Sequence, residues 1–300
     1  MKVLMATDGS RDANTAILAA LRLLRPADLS IDVLCVAPEL VHATASRETA
    51  GRVHKTHTEQ IKREGMRILL ATERLLHREG LRPKVTLKLG SAADVILKSA
   101  PDYDLVVVGA HGRFERTQPG LGPVASRLVE NSRGSVIVGR ELTNDKNFRV
   151  LVALDGSEAS FNALHAMTSF LDPSTIDVTL MHVVELPWAR LDLPPQWPEY
   201  EPDASEISDY QSELEHELRR YADRTVSRAR NYLEALNISA TEIVEEGDPA
   251  LELVSHAEEG GYDLIVSGAT GSSDVKHALL GSVSSTLAWN APCSVMVVRT

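Results

Sequence analysis

The amino-acid sequence predicts an α/β protein made of two tandem domains, each a doubly wound parallel sheet of five strands. The chain repeats itself, because VLMATDGS at 3–10 returns as VLVALDGS at 150–157 and YDLVVVGAHG at 103–112 returns as YDLIVSGATG at 262–271. Within each repeat, short apolar runs alternate with segments of helical periodicity, which is typical of a parallel sheet covered on both faces. The length of 300 residues allows each repeat its own core.

The elements can be assigned in order from these patterns. In the first half, apolar runs predict the strands KVLMA, IDVLCVA, KVTLKLG, DLVVVG and SVIVG. Apolar residues at helical spacing predict helices over SRDANTAILAALRLL, from Thr56 to Glu79, from Ala92 to Ser99 and over SRLVEN. The second half repeats the order with the strands VLVAL, DVTLMHV, TEIVEEG, DLIVSG and SVMVV and a long helix from Ser205 to Ala235.

The two copies differ in length. The offset between them is 147 residues at the first strand and 159 at the fourth, so the second copy carries twelve additional residues. We place these residues in the proline-rich and acidic segment 187–206, which is predicted to be a loop. This loop could cover a ligand site as a lid. Its Trp188 and Trp197 could anchor the loop or stack on a ligand. The polar stretch ELTNDKN separates the domains, which we place at 1–143 and 148–300.

Composition and charge argue against several classes of function. A formal net charge of −11 opposes general binding to nucleic acid or an anionic membrane, because phosphate groups would be repelled. Cys35 and Cys293 lie in apolar runs and are predicted to be buried thiols, and no cysteine–histidine spacing indicates a metal site. The chain opens on a strand rather than a signal core, and no apolar run approaches the ~18 residues that span a bilayer, so we expect a cytoplasmic protein.

Two loops in each half are placed to bind a ligand. One follows the first strand and contains Asp8 or Asp155 within the sequence Asp-Gly-Ser, and the other follows the fourth strand and begins at Gly109 or Gly268. Ligands of doubly wound sheets bind at the carboxyl ends of the strands, where the strand order reverses. These loops therefore form the predicted site.

The glycines of the second loop predict a phosphate site in the C-terminal half. Gly268, Gly271 and Gly281 follow an apolar strand, and Ser282 and Ser284 open the next predicted helix. Glycine lets backbone N–H groups approach an anion without a Cβ in the way, and a helix start adds unpaired N–H groups and a partial positive charge. The alternative is a tight strand-to-helix turn in which Ser282 is only the N-cap. The pattern is neither the Walker nor the Rossmann motif.

These residues resemble the universal stress proteins, whose nucleotide-binding members carry Gly-x2-Gly-x9-Gly-Ser/Thr after the fourth strand. Gly268, Gly271, Gly281 and Ser282 fit this pattern in full, and the aspartate after strand one, the long second helix and the closing strand MVVRT also match. The resemblance spans nearly the whole chain, twice. It implies the strand order 3-2-1-4-5 and a tandem, ATP-binding regulatory protein of the stress response. It also implies that SVIVG and SVMVV pair as an intramolecular pseudo-dimer, with a homodimer of whole chains as the other option.

The resemblance implies roles for single residues as well. ATP, with or without Mg²⁺, would place its phosphates on the glycine loop, where Val283 and Ser284 follow Ser282. Its adenine would lie near Asp155, whose carboxylate would accept from the amino group, and Val183 matches a position that contacts adenine through the backbone. From the residues alone, Asp155 is also explained as a turn or cap residue and Val183 as a core residue.

The N-terminal half retains the glycines of this site but offers fewer hydrogen-bond donors to a phosphate. Pro123 stands where the other half has Ser282, and Ala125 where it has Ser284. Proline suits the first position of a helix, so the turn should survive, but it has neither an N–H nor a hydroxyl. We therefore predict weaker nucleotide binding in this half. The equivalent site residues are Asp8, Val36, Gly109, Gly112 and Gly122.

Two other classes of function remain open. One is a slow ATPase or another nucleotide-dependent enzyme, to which His111 and Arg113, or Lys276 and His277, could supply positive charge. Such an enzyme needs a phosphate lysine and an acidic group that holds magnesium, and no Walker lysine is present. We therefore assign no catalytic or metal-binding residue and expect a weak ATPase at most. The other class is a dimerisation module without nucleotide, against which the complete C-terminal motif argues. The sequence identifies no protein partner.

Overall fold

The computed structural model describes residues 1–24, 29–39, 47–113, 120–144, 146–187, 204–271 and 280–299, and it describes the side chains of all these except 47–56 and 204–210. The first half contains β1 (Lys2–Ala6), α1 (Arg11–Leu23), β2 (Ser30–Ala37), α2 (Arg47–Arg78), β3 (Lys84–Leu89), α3 (Ala92–Ser99), a 3₁₀ turn (Ala100–Asp102), β4 (Leu105–Gly109), α4 (Pro123–Asn131) and β5 (Ser135–Gly139). The second half contains β6 (Phe148–Ala153), α5 (Glu158–Phe170), β7 (Ile176–Val184), α6 (Ala204–Ala235), β8 (Ala240–Glu246), α7 (Pro249–Gly260), β9 (Leu264–Gly268), α8 (Ser282–Asn290) and β10 (Ser294–Val298).

The ten strands found among the described residues form one sheet in the order β3-β2-β1-β4-β5-β10-β9-β6-β7-β8. Each half has the order 3-2-1-4-5 in its own numbering, and its strands are parallel. The halves meet in the antiparallel pair β5–β10, where Val138 lies opposite Val295. The predicted fold class and the pairing of the two halves within one chain are therefore confirmed.

Two helix starts differ from the prediction. Helix α2 begins at Arg47, well before the predicted Thr56, because its first nine residues, RETAGRVHK, offer almost no apolar side chains for a periodic pattern to detect. Several of these residues favour helix by intrinsic propensity alone. Helix α4 begins at Pro123 rather than Ser126, since proline is well suited to the first helical position.

Helices cover both faces of the sheet and divide the core into two layers. One layer packs α1, α2, α5 and α6 against the sheet and includes Ile17, Leu69 and Leu164, all fully buried. The other packs α3, α4, α7 and α8 and includes Leu128 and Leu287. The nearly continuous apolar strands follow from this double cover, because no face of the central strands meets water.

The two cysteines are buried, as the sequence predicts. Cys35 in β2 and Cys293 just before β10 are each 2% exposed. Burial raises the pKa of the Cys35 thiol to about 11 and that of Cys293 to about 12. Both therefore stay protonated near neutral pH and pack as small apolar groups.

Two arginines form hydrogen bonds between the halves, each to a helix of the other half. Arg140, directly after β5, donates from Nη2 to the carbonyl of Ala288 at 2.7 Å and from Nη1 to that of Cys293 at 3.0 Å. Arg299, directly after β10, donates from Nη2 to the carbonyl of Val129 at 2.5 Å. Each guanidinium thus binds at least one carbonyl in the last turn of a helix that belongs to the other half, where a positive charge is favourable.

Candidate functional site

The loops after β1 and β4 meet because these strands are neighbours in the sheet. In the N-terminal half, the carboxylate of Asp8 accepts from the backbone N–H of Ser10 at 2.8 Å and from that of Arg113 at 3.0 Å. Asp8 therefore fixes both loops at once. The N-cap of α1 is Ser10, whose hydroxyl accepts from Ala13 N–H at 3.1 Å, so Asp8 is a turn residue and not the cap.

The C-terminal half repeats this arrangement. Asp155 Oδ1 accepts from the backbone N–H of Ser157 at 2.9 Å and from its hydroxyl at 2.5 Å, and Ser157 is the N-cap of α5. The other oxygen, Oδ2, approaches Gly271 so closely that a Cβ there would lie 2.9 Å from it. Gly271 thus gives the carboxylate room beside the glycine loop, a role that sequence reasoning did not assign to it.

The first glycine of each loop has a packing role. A Cβ at Gly109 would lie 2.6 Å from the carbonyl carbon of Asp12 in α1, and a Cβ at Gly268 would lie 2.8 Å from that of Ala159 in α5. Real side chains do not approach backbone atoms so closely, so both positions need glycine for the helix to lie against the strand end. Sequence reasoning offered phosphate binding or a tight turn for these glycines, and it did not predict this packing role.

The third glycine of each loop opens a helix. Gly122 is the N-cap of α4 and Gly281 that of α8, and their backbone N–H groups donate to the carbonyls of Ala110 and Ala269 at 2.8 and 2.6 Å. No side chain in the described part of the chain caps either helix. The alternative in which Ser282 is the N-cap is therefore wrong, because Ser282 is the exposed first residue of the helix.

Pro123 occupies the same helical position as Ser282. It is exposed, it follows an N-cap with φ −68° and ψ 162°, and the corresponding angles at Gly281 are −75° and 158°. The turn thus keeps its backbone conformation with proline present, as expected, because the proline ring is compatible with the first position of a helix. The halves differ at this position in an N–H and a hydroxyl, not in backbone shape.

The hydroxyl of Ser284 is buried against the strand end that precedes the loop. Its hydroxyl donates to the carbonyl of Gly268 at 2.5 Å, and the residue is only 4% exposed. Ala125, its counterpart in α4, is 2% exposed. The Ser-to-Ala difference between the halves therefore removes a hydrogen bond between helix and strand, and it does not remove an exposed donor.

A cavity of about 210 Å³ lies at the carboxyl ends of β1, β2 and β4 in the N-terminal half. It brings together all five residues predicted for this half, namely Asp8, Val36, Gly109, Gly112 and Gly122. Its other walls are largely apolar, with Leu34, Ile96, Val108 and Val124 among them. In the C-terminal half, Val183 takes the position of Val36 and is 9% exposed, and Val283, in the first turn of α8, is partly buried.

A histidine and an arginine also border this cavity. His111 Nδ1 lies 3.1 Å from Asp12 Oδ2, and its Nε2 is buried without a hydrogen-bond partner among the described residues. Arg113 pairs with Glu64 at 3.2 Å and passes over Gly9. The positive charge expected from Arg113 is therefore partly neutralised within the protein.

Some predicted features lie outside the described residues. They are Trp188, Trp197, nearly all of the segment 187–206 before α6, and the pair Lys276 and His277. Among the described residues, no group of three histidine, cysteine or acidic side chains could hold a metal ion. None of the described helices combines the length and the apolar character that crossing a membrane requires.

Comparison with known proteins identifies the class. A model of the universal stress protein family matches the chain twice, over residues 1–140 and 146–299. The chain therefore belongs to the universal stress protein family. The universal stress protein YxiE of Bacillus subtilis is 29% identical over 154 residues, which cover 50% of this chain and 98% of that protein. A universal stress protein of Mycolicibacterium smegmatis is 28% identical over 232 residues, which cover 73% of this chain and 70% of that protein.

Solved structures support the same fold over the full length. A universal stress protein from Archaeoglobus fulgidus aligns with a TM-score of 0.67, covering 99% of this chain and 98% of that one at 18% identity. A Pseudomonas aeruginosa protein described as functionally unknown, PA1789, aligns with a TM-score of 0.59 at 12% identity, covering 99% and 92%. At such identities the likeness concerns the fold and not the ligand.

Proposed function

We propose that this protein is a regulatory protein of the stress response that binds an adenine nucleotide, ATP in the first place, chiefly in its C-terminal half. The observation that carries the proposal is the start of α8. Gly281 caps the helix without a side-chain bond among the described residues, and the exposed Ser282 follows it. The first-turn N–H groups and the Ser282 hydroxyl are thus available to a phosphate, which the partial positive charge of the helix start also favours.

The base would lie beside the aspartate that follows the first strand of each half. In the N-terminal half, the cavity combines the Asp8 carboxylate with the apolar walls Leu34, Val36 and Val124. A flat aromatic base gains by burial against apolar side chains and is oriented by a few polar groups. Asp155 and Val183 are the corresponding residues of the C-terminal half, and they support the same placement there.

The donor count favours the C-terminal half. Pro123 offers neither the N–H nor the hydroxyl that Ser282 offers in its place. A hydrogen bond to a charged group contributes roughly 1.5–3 kcal/mol, so the loss of one weakens binding about ten- to a hundredfold. We therefore propose that both halves bind nucleotide, the N-terminal half more weakly, and that the chain acts as a pseudo-dimer with or without further association.

Solved universal stress proteins include one in complex with cAMP and one from Arabidopsis thaliana with AMP bound. Each aligns with about half of this chain, at TM-scores of 0.33 and 0.35. Alignments of this quality do not transfer a ligand, and the proposal stands on the residues of this chain.

The proposal is tested by identifying what the protein carries. Purified wild-type protein and the Gly281→Trp variant are denatured, and the released small molecules are separated by chromatography. We expect the wild type to release an adenine nucleotide and the folded variant to release much less, because the bulky ring fills the start of α8. A wild type that releases no nucleotide and also shows no calorimetric heat with ATP would overturn the proposal.

A further inference from the structure

An indole ring from the C-terminal half packs on the glycine loop of the N-terminal half. Gly120 has φ +97°, and a Cβ on it would lie 2.4 Å from Cε3 and 2.8 Å from Cζ3 of Trp289. Trp289 lies in the last turn of α8 and is 39% exposed. The ring therefore lies directly against Gly120, and a side chain at that position would require the ring to move.

The segment under this ring is the turn that opens α4. Leu121 is 7% exposed and belongs to the core layer of α4 and α8. Gly122 is the N-cap of α4 and is fixed through its bond to Ala110. The turn from Gly120 to Gly122 is thus held between the core on one side and the indole of Trp289 on the other.

The residue of α4 that corresponds to Trp289 is not aromatic. At the repeat offset of 159 residues, the counterpart of Trp289 in α4 is Glu130. Glu130 is exposed, and its carboxylate accepts from the hydroxyl of Ser126 in the same helix at 2.9 Å. The two halves therefore differ not only in their own loops but also in the side chain that each has at this position of its last helix.

Trp289 is held in place by the N-terminal half in turn. The carbonyl of Ala288, its neighbour in α8, accepts from Arg140 at 2.7 Å. Helix α8 itself begins at Ser282, after its N-cap Gly281, in the candidate phosphate site of the C-terminal half. One rigid helix thus reaches from one candidate site to the glycine turn of the other.

We propose that Trp289 is a positioning residue for the N-terminal nucleotide site, supplied across the pseudo-dimer junction. It holds the turn Gly120–Gly122 in the shape that places the start of α4 beside the cavity. The N-terminal site is then complete only when the C-terminal half is docked against it. The nucleotide part of this inference rests on the proposed function, and the positioning part does not.

Hydrogen exchange on the full, nucleotide-free chain tests the positioning part. We expect the Trp289→Ala variant to exchange the amides of 120–122 about tenfold faster than wild type, because loss of the ring lets the turn open locally. Trp289→Phe, which retains an aromatic face, should restore most of the protection. Glu130→Ala is the matched control in α4 and should leave the exchange of this segment unchanged. Unchanged exchange in a folded Trp289→Ala variant, or an equal effect of Glu130→Ala, would overturn the inference.

Calorimetry with ATP then tests the consequence for the site. In an Asp155→Ala background, which isolates the N-terminal site, Trp289→Ala should weaken ATP binding about tenfold, equal to about 1.4 kcal/mol. Equal ATP affinity with and without the ring would contradict the inference even if exchange changes. A wild type that binds no ATP in either half would instead refute the proposed function, and the exchange experiment would still decide whether Trp289 positions the turn.

Discussion

The carboxylate of Asp8 accepts a hydrogen bond of 3.0 Å from the backbone N–H of Arg113, and this bond joins the loop after β1 to the loop after β4. The two residues are 105 positions apart in sequence. In the C-terminal half, Asp155 makes the corresponding approach to Gly271. The aspartate of each half therefore shapes the candidate site before any ligand is present.

Replacing either aspartate should weaken nucleotide binding in its own half. Asp8→Ala removes the acceptor for two backbone N–H groups, and each such bond to a charged group contributes roughly 1.5–3 kcal/mol. We expect calorimetry with ATP to lose the weaker binding event in Asp8→Ala and the tighter one in Asp155→Ala. Loss of both events in either single variant, with the fold intact by circular dichroism, would mean that the aspartates do not act separately.

The first glycine of each loop should matter for stability as well as for binding. A Cβ at Gly109 would lie 2.6 Å from backbone carbon of α1, so Gly109→Ala must displace the helix. We expect a loss of about 1–3 kcal/mol in the free energy of unfolding by urea, which is typical of overpacking. Gly134→Ala is the control, because its Cβ would meet only ordinary contacts, the nearest at 3.5 Å. A Gly109→Ala variant as stable as this control would contradict the packing role.

The arginines at the junction should stabilise the association of the halves. Arg140→Met removes the donors to Ala288 and Cys293 and leaves those carbonyls without their partner, so we expect unfolding to become easier by about 1.5–3 kcal/mol. Arg11→Met is the control, since its ion pair with Glu141 is formed by side chains that are 70% and 79% exposed. Such exposed pairs contribute about 0–1 kcal/mol. Equal urea midpoints for the two variants would show that the helix-end contacts of Arg140 contribute little.

A buried histidine should make the stability depend on pH. His182 in β7 is 7% exposed, and burial lowers its pKa below the ordinary 6.5, while the charge of Asp155 opposes the shift. Below about pH 6.5, the unfolded chain binds a proton that the folded chain resists, so folding stability falls as the pH drops from 7 to 5. His182→Cys, which introduces the residue of the equivalent position Cys35, should flatten the stability profile from pH 7 to 5. The same slope in wild type and variant, measured by urea unfolding, would contradict this.

Most of the fold could be predicted from the sequence because the chain contains two copies of the same pattern of strands and helices. Each apolar run has a counterpart in the other half, so the two sets of predicted strands support each other, and the resemblance supplies their order. The beginning of α2 could not be located, because the sequence RETAGRVHK contains too few apolar residues to give a helical pattern. Helical propensity alone marks such a stretch weakly.

Only part of the candidate site could be predicted from the sequence. A pattern of glycines shows where the backbone must be free of side chains, but it does not show which part of the protein or ligand contacts the backbone there. In the structure, Gly109 meets a helix, Gly271 meets the Asp155 carboxylate and Gly120 meets Trp289. The last contact joins residues of different halves, and a motif confined to one repeat carries no signal for it.

The proposed phosphate site at the start of α8 is tested most directly at the difference between Pro123 and Ser282. The decisive measurement is a calorimetric titration of ATP onto wild type, Pro123→Ser and Ser282→Pro. We predict that Pro123→Ser strengthens the weaker binding event about tenfold or more, and that Ser282→Pro weakens the tighter one by a similar factor, because one charge-assisted donor is gained or lost. ATP affinities that do not change in either variant, or a tighter event that responds to position 123, would contradict the assignment of the phosphate site to the start of α8.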